Sequence, residues 1–189
     1  MSTREKLVQA TAELLWERGY VGTSPRAIQR ASGAGQGSMY HHFAGKAELA
    51  EAAIEWAADQ LRTQTEQDLA NGATALERLT GYLTRERQAL LGCRLGRLAQ
   101  DPDVIADPRL RRPVADYFRW LRATLTDVIT TGQASGELRA GTDPTALASA
   151  LAAAVQGGYV LARADQDADN YRQAIQGLVT LVAQLGGPD

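Results

Sequence analysis

The chain has 189 residues, 44% hydrophobic and 22% charged, with a formal net charge of −2. That apolar share excludes wholesale disorder and allows one ordinary domain or two small ones, while the acidic balance argues against non-specific coating of nucleic acid. Its single cysteine, Cys93, excludes an internal disulfide framework and fits a reducing compartment.

In chain order, Ser2 and Glu5 have the spacing of a capping box and predict a helix, with Leu7, Thr11, Leu14 and Leu15 on one face and Gly19 as its stop. The opening MSTREKL lacks the long apolar core of a signal peptide. Ser24 and Pro25 start a second, short helix that Gly33 ends. A third runs through Ser38 to about His42, and a fourth from near Lys46 to the Asn71-Gly72 stop. Residues 74–91, with Leu76, Leu79, Leu83 and Leu90, predict a further helix, and GCRLGRLAQD a short one after a glycine break. Another covers 108–134, carrying Leu110, Val114, Tyr117, Leu121, Leu125, Val128 and Ile129, and Gly136 ends it. Asp143-Pro144 caps the next, and Asp167 or Asp169 the last. With no alternating strand pattern, the expected class is all-α. Brief helices before residue 50 and longer ones after it predict a small module, 1–50, joined to a helical body, 51–189.

Residues 144–162 carry no charge and could nearly span a bilayer. Ala, Gly, Ser, Thr, Gln and Pro make up most of them, so a helix buried among helices is expected, in a soluble, cytoplasmic protein without a membrane partner. The last two helices leave two readings open. Leu147, Leu151, Val155 and Gly158, and the heptad-like Tyr171, Ile175, Leu178, Val182 and Leu185, could all face their own core, or part of them could pair with a second subunit.

The stretch GAGQGSMYHHF, residues 33–43, concentrates three glycines and both histidines of the chain. One reading is a metal or catalytic site on His41 and His42, but neighbours on a helix point about 100° apart and no acidic or cysteine ligand lies close in sequence. Another is a loop and helix end without a task. The third is a helix-turn-helix, a short helix entering the DNA major groove while another crosses the backbone. Gly33 would turn the chain, and Gly35 and Gly37 would clear side chains from a helix N-terminus facing phosphate. Gln36 suits the N6/N7 edge of adenine, and Ser38, Tyr40 and His41 offer polar tips within one turn. Ile28, Ala31, Met39 and Phe43 would form the apolar underside. Residues 1–50 carry a net +2 and the remainder −4, so an anionic partner fits the front end.

The segment ERGYVGTSPRAIQRASGAGQGSMYHHFAGKAEL closely resembles the DNA-binding module of the TetR family of transcriptional regulators. The matching positions are Gly19-Tyr20, Thr23-Ser24, Ile28, Ala31, Gly33, Gly37, Tyr40 to Phe43, and Lys46 followed by Leu49. GCRLGRLAQD and GELRAGTDPTALASALAAAVQGGYVLAR are similar to the regulatory domain of an LmrA/YxaF-like subgroup. The resemblance implies an all-helical homodimer, joined through its last two helices, with the helix-turn-helix at about 24–43 and a ligand-binding, dimerising domain behind it. It implies a repressor that binds a near-palindromic double-stranded operator and is released by a small effector. Gln36, Gly37 and Ser38 would then lie at bases or adjacent phosphates, and Tyr40 and His41 would grip backbone. Thr23, Ser24 and Lys46 would pin helix ends to phosphate, with Arg26 adding positive charge. Gly35 departs from the pattern, standing where Ser or Thr is usual, and so does AGK at 44–46 in place of a more rigid Pro-Ser-Lys.

For the effector pocket the sequence offers Tyr82, Cys93, Leu98, Phe118, Leu121, Leu125, Gln156 and Tyr159, a set with few ionisable groups that predicts a neutral or amphipathic organic ligand. Cys93 stays open between a buried structural role and a thiol sensor. No cofactor and no metal are expected, and no nucleophile–base pair or phosphate loop points to an enzyme. The rival to a DNA-binding regulator is an all-helical interaction module that does not bind DNA.

Overall fold

The computed structural model describes residues 1–187, and among these the regular structure is helical. The helices are α1 (Thr3–Gly22), α2 (Pro25–Ser32), α3 (Gln36–His42), α4 (Lys46–Ala70), α5 (Ala75–Thr84), α6 (Arg94–Leu98), α7 (Pro102–Ala106), α8 (Pro108–Ala134), α9 (Pro144–Asp165) and α10 (Ala168–Ala183). One antiparallel bridge joins Leu138 to Gly186.

Local chemistry sets most of the boundaries. Ser2 and Glu5 form a reciprocal capping box on α1, and Thr74 and Glu77 form another on α5. Ser24, Asp101 and Asp143 cap α2, α7 and α9, each followed by a proline already at helical φ. Asp167, one of the two residues anticipated, caps α10. Gly19 does interrupt α1, with φ 70° and ψ −178°, but one more turn follows before the helix ends at Gly22.

Two expectations are corrected. The helix foreseen over 74–91 stops at Thr84, because Arg85 turns to extended backbone (φ −53°, ψ 146°) and the Arg87 guanidinium takes the carbonyls of Tyr82 and Leu83. Leu90, counted toward that helix, is 43% exposed. Beyond GCRLGRLAQD there is also a separate helix, α7, which sequence reading missed.

The chain forms two compact units. The first contains Met1–Leu61 and Arg94–Tyr117, the second Arg62–Cys93 and residues from Phe118 onward, so α4 and α8 contribute to both. In the first unit Leu7, Leu15, Ile28, Met39, Leu49, Ile54, Leu95, Val104 and Leu110 are buried. In the second, α10 packs on α9 and α5 around Leu79, Leu83, Leu121, Leu125, Leu151 and Val155. The Tyr159 and Tyr171 rings meet there with centroids 4.8 Å apart. Tyr171, Ile175 and Val182 are buried in their own unit. A different stripe of α9 is exposed and uncharged: Ala146, Ala150, Ala153, Gly157, Val160, Leu161 and Ala164. Pro144–Asp165 is long and apolar enough to cross a membrane by length and composition, yet its Leu151, Val155 and Ala162 are core residues of the second unit.

Candidate nucleic-acid interface

α2 and α3 both pack on α1. Between them Gly33 adopts the left-handed region (φ 68°, ψ 11°), a conformation that costs a residue with a Cβ roughly 1–2 kcal/mol. The turn therefore needs glycine at this position. Ile28 and Met39 are fully buried and Phe43 is 3% exposed, so these three lock the helices from below. Ala31, expected beside them, is exposed instead, on the outer face of α2.

Opposite that underside lies a continuous polar edge. Gln36, Gly37 and His41 are exposed, Tyr40 is half-exposed, and Ser38 is partly covered. On α2, Ser24, Arg26 and Arg30 are exposed as well. The Ser24 hydroxyl accepts from the Ala27 N–H, so its own proton is available to donate. Neither Gly35 nor Gly37 has positive φ, and a Cβ built on either meets nothing within 4 Å. The interior does not require these two glycines. Their effect is on the outside, where they keep the start of α3 slim. Gly35 caps α3 with no side-chain acceptor, so first-turn N–H groups face outward unclaimed by a cap. His41 and His42 sit edge to face, 5.1 Å between centroids, and no group of three metal-ligating side chains occurs among the described residues.

Two of the expected contact residues are placed differently. Thr23 is completely buried, and its hydroxyl donates to the Gly19 carbonyl at 2.7 Å, so that side chain cannot reach a phosphate. Lys46 is part-buried and its Nζ donates to the Tyr20 carbonyl at 2.6 Å, 4.0 Å from the Tyr20 ring centroid. Burial holds its pKa below the usual lysine value. Both residues brace the end of α1.

That brace extends to residues that sequence reading left out. The break at Gly19 orphans backbone groups that a continuous helix would satisfy. Asp101 Oδ2 accepts from the Tyr20 N–H at 2.8 Å, while its Oδ1 caps α7 through Asp103 and Val104. The Arg97 guanidinium donates to the Trp16 carbonyl, and Arg94 lies 4.0 Å over the Trp16 ring with an ion pair to Glu13. Burial, the largest cause, pushes the Tyr20 phenol up, and Asp107 adds to it. A signal was available in Asp101-Pro102, which repeats the cap-then-proline pattern of Ser24-Pro25.

The eight residues expected to line an effector pocket fall in both units, five of them buried and three half-buried. Leu98 is buried in the first unit, whereas Tyr82, Leu121, Leu125 and Tyr159 are buried in the second and Cys93, Phe118 and Gln156 are half-buried. The second unit does contain a cavity of about 500 Å³, walled by the 83–89 segment and one face of α10, and none of the eight lines it.

Comparison with known proteins agrees with this geometry. Residues 7–53 match the family model described as bacterial regulatory proteins, tetR family, and residues 73–178 match that of the tetracyclin repressor-like C-terminal domain. The transcriptional regulator AcuR of Cereibacter sphaeroides is 29% identical over 166 residues, covering 84% of this chain and 75% of that protein. The transcriptional repressor KstR2 of Mycolicibacterium smegmatis is 33% identical over 89 residues, 47% of this chain and 43% of its own. A crystal structure of a TetR transcriptional regulator from Chloroflexus aurantiacus superposes with a TM-score of 0.89 at 30% identity, covering 99% of this chain and 97% of that one.

Proposed function

The chain belongs to the TetR family of transcriptional regulators, which bind DNA and are not enzymes, and from that premise we propose that it is a ligand-responsive repressor acting as a homodimer on a near-palindromic operator. Residues 1–50 serve as the DNA-binding domain and 51–189 as the regulatory and dimerising domain, in a cytoplasmic protein. The observation that carries this reading is the edge of exposed Gln36, Gly37, Tyr40 and His41 with the partly covered Ser38, held by a buried underside at Ile28, Met39 and Phe43. Gln36 reads a base edge, and Ser24, Arg26, Tyr40 and His41 hold the sugar-phosphate backbone.

Few cations stand on that edge, so one module binds weakly and two are needed. Dimers of such modules contact half-sites about 34–36 Å apart, which couples operator symmetry to protein symmetry. The exposed, uncharged stripe of α9 supports pairing of the last two helices, with Gly177 and Leu181 of α10 continuing it. Small residues let helices approach closely, and an apolar stripe of this kind is costly to leave in water. An effector in the 51–189 domain that favours a module spacing mismatched to the operator would weaken binding by about 5–150-fold, the usual range of such coupling.

Gel shift of the full chain on the DNA upstream of its own gene tests the proposal. A discrete complex that resists non-specific competitor DNA is expected. No complex at micromolar protein, or one that competitor removes as readily as specific DNA does, would leave the rival interaction-module reading in its place.

A further inference from the structure

We propose that the cavity between the 83–89 segment and α10 takes a small organic acid, its carboxylate on Arg87 and Tyr171 and its apolar body against Leu83, Ala89, Ile175 and Val179. The inference deepens the effector reading above and rests on it. A volume of about 500 Å³ lies within the range of about 300–1,000 Å³ that suits small organic ligands.

The charge accounting selects an anion. Three arginines line the cavity. Arg85 is neutralised by Asp68 at 2.9 Å, with both side chains largely covered, and Arg172 is paired with its helix neighbour Asp169. Glu86 stands at the exposed rim. Arg87 has no carboxylate. Its Nη1 donates to the carbonyls of Leu83 at 2.8 Å and Arg85 at 3.0 Å, and its Nη2 to that of Tyr82 at 2.5 Å. These partners fix the guanidinium plane at the end of α5 and carry only partial negative charge. Its Nε, meanwhile, is buried without an acceptor.

The second observation comes from α10, across the same cavity. Tyr171 is 5% exposed, and its hydroxyl is buried without a hydrogen-bond partner. Burial keeps this phenol protonated, so it serves as a donor. A fixed cation and a buried hydroxyl donor, set among aliphatic walls, complement a carboxylate carried on an apolar body. A neutral ligand would leave the Arg87 charge unanswered, so of the neutral or amphipathic effectors that the sequence suggested the lining favours the amphipathic kind.

The test is calorimetric titration of the full chain with straight-chain carboxylates from butanoate to dodecanoate, with octanamide, octylamine and inorganic phosphate as controls. At least one carboxylate should bind about tenfold or more tighter than octanamide and than phosphate, the scale of one charge-assisted hydrogen bond. Arg87→Gln should weaken that carboxylate about tenfold and Tyr171→Phe about threefold, with octanamide unchanged by either. If Arg87→Gln fails to fold, Tyr171→Phe, which keeps the ring, carries the comparison. The inference is overturned by octanamide or phosphate binding as well as the best acid, by indifference of that acid to both substitutions, or by no carboxylate binding at millimolar concentration. Gel shift on the same samples separates the two readings. Operator binding with no acid bound sinks only the present inference, and acid binding with no operator complex sinks only the regulator reading.

Discussion

Gly19 concentrates several demands in one residue. At φ 70° it breaks α1, and a Cβ there would come 2.8 Å from Asp101 Oδ2. Gly19→Ala should therefore cost about 1–3 kcal/mol in urea unfolding, from left-handed strain together with the displaced carboxylate. Gln36 has no such structural duty. Gln36→Ala should leave stability unchanged, cost about 1–3 kcal/mol at one base pair of the operator and relax specificity there, as competition with operator variants would measure. Tyr82 offers a test through pH. Burial, the largest cause, pushes its phenol from 10.0 up to about 12, against the opposing pull of Arg87 and Arg85. The unfolded chain gives up that proton from pH 10 upward while the folded chain keeps it, so stability is intact below pH 10 and falls as pH rises toward 12. Denaturant unfolding at pH 9, 10 and 11 should show a shallower decline for Tyr82→Phe than for the parent chain.

Among the elements, those with a capping residue and a flanking proline were legible: Ser24-Pro25 and Asp143-Pro144 mark the starts of α2 and α9 as the chain's own chemistry dictates. The same rule applied to Asp101-Pro102 would have found α7. The end of α5 was not legible, because Leu90 continues the apolar spacing while the stop comes from Arg87 reaching back four and five residues to carbonyls. The polar edge of α3 could be read from residue type and spacing, whereas burial of Thr23 and the engagement of Lys46 with Tyr20 depend on a break in α1 that local pattern does not reveal. The brace from α6 and α7 was invisible for a plainer reason, since Asp101 and Tyr20 are 81 positions apart. It makes a prediction of its own. Asp101→Ala leaves the Tyr20 N–H without its acceptor and α7 without its cap, and should cost about 1–3 kcal/mol of stability. Operator affinity should fall too, although Asp101 lies far outside the helix-turn-helix in sequence. Unchanged affinity, measured at a temperature where the variant is fully folded, would mean that the brace does not position the reading helix.

For the whole molecule, an acidic chain can serve DNA because its partner meets one edge rather than the average charge. Arg26 and Arg30 are exposed beside α3, and residues 1–50 carry a net +2 against −4 for the remainder. Affinity should therefore drop steeply with salt, with a log–log slope that grows with the number of phosphates neutralised by both modules together. In the proposed dimer the uncharged α9 stripe seats the second copy, so a charge there, as in Leu161→Asp, should shift sedimentation toward a single chain and abolish the operator complex. The most direct measurement compares one selected operator with a duplex carrying only half of it, reading stoichiometry and affinity together at fixed salt. Two chains on the full site, with affinity for the half-site lower by about a hundredfold or more, is the outcome predicted. One chain held as tightly on the half-site as on the whole would contradict it.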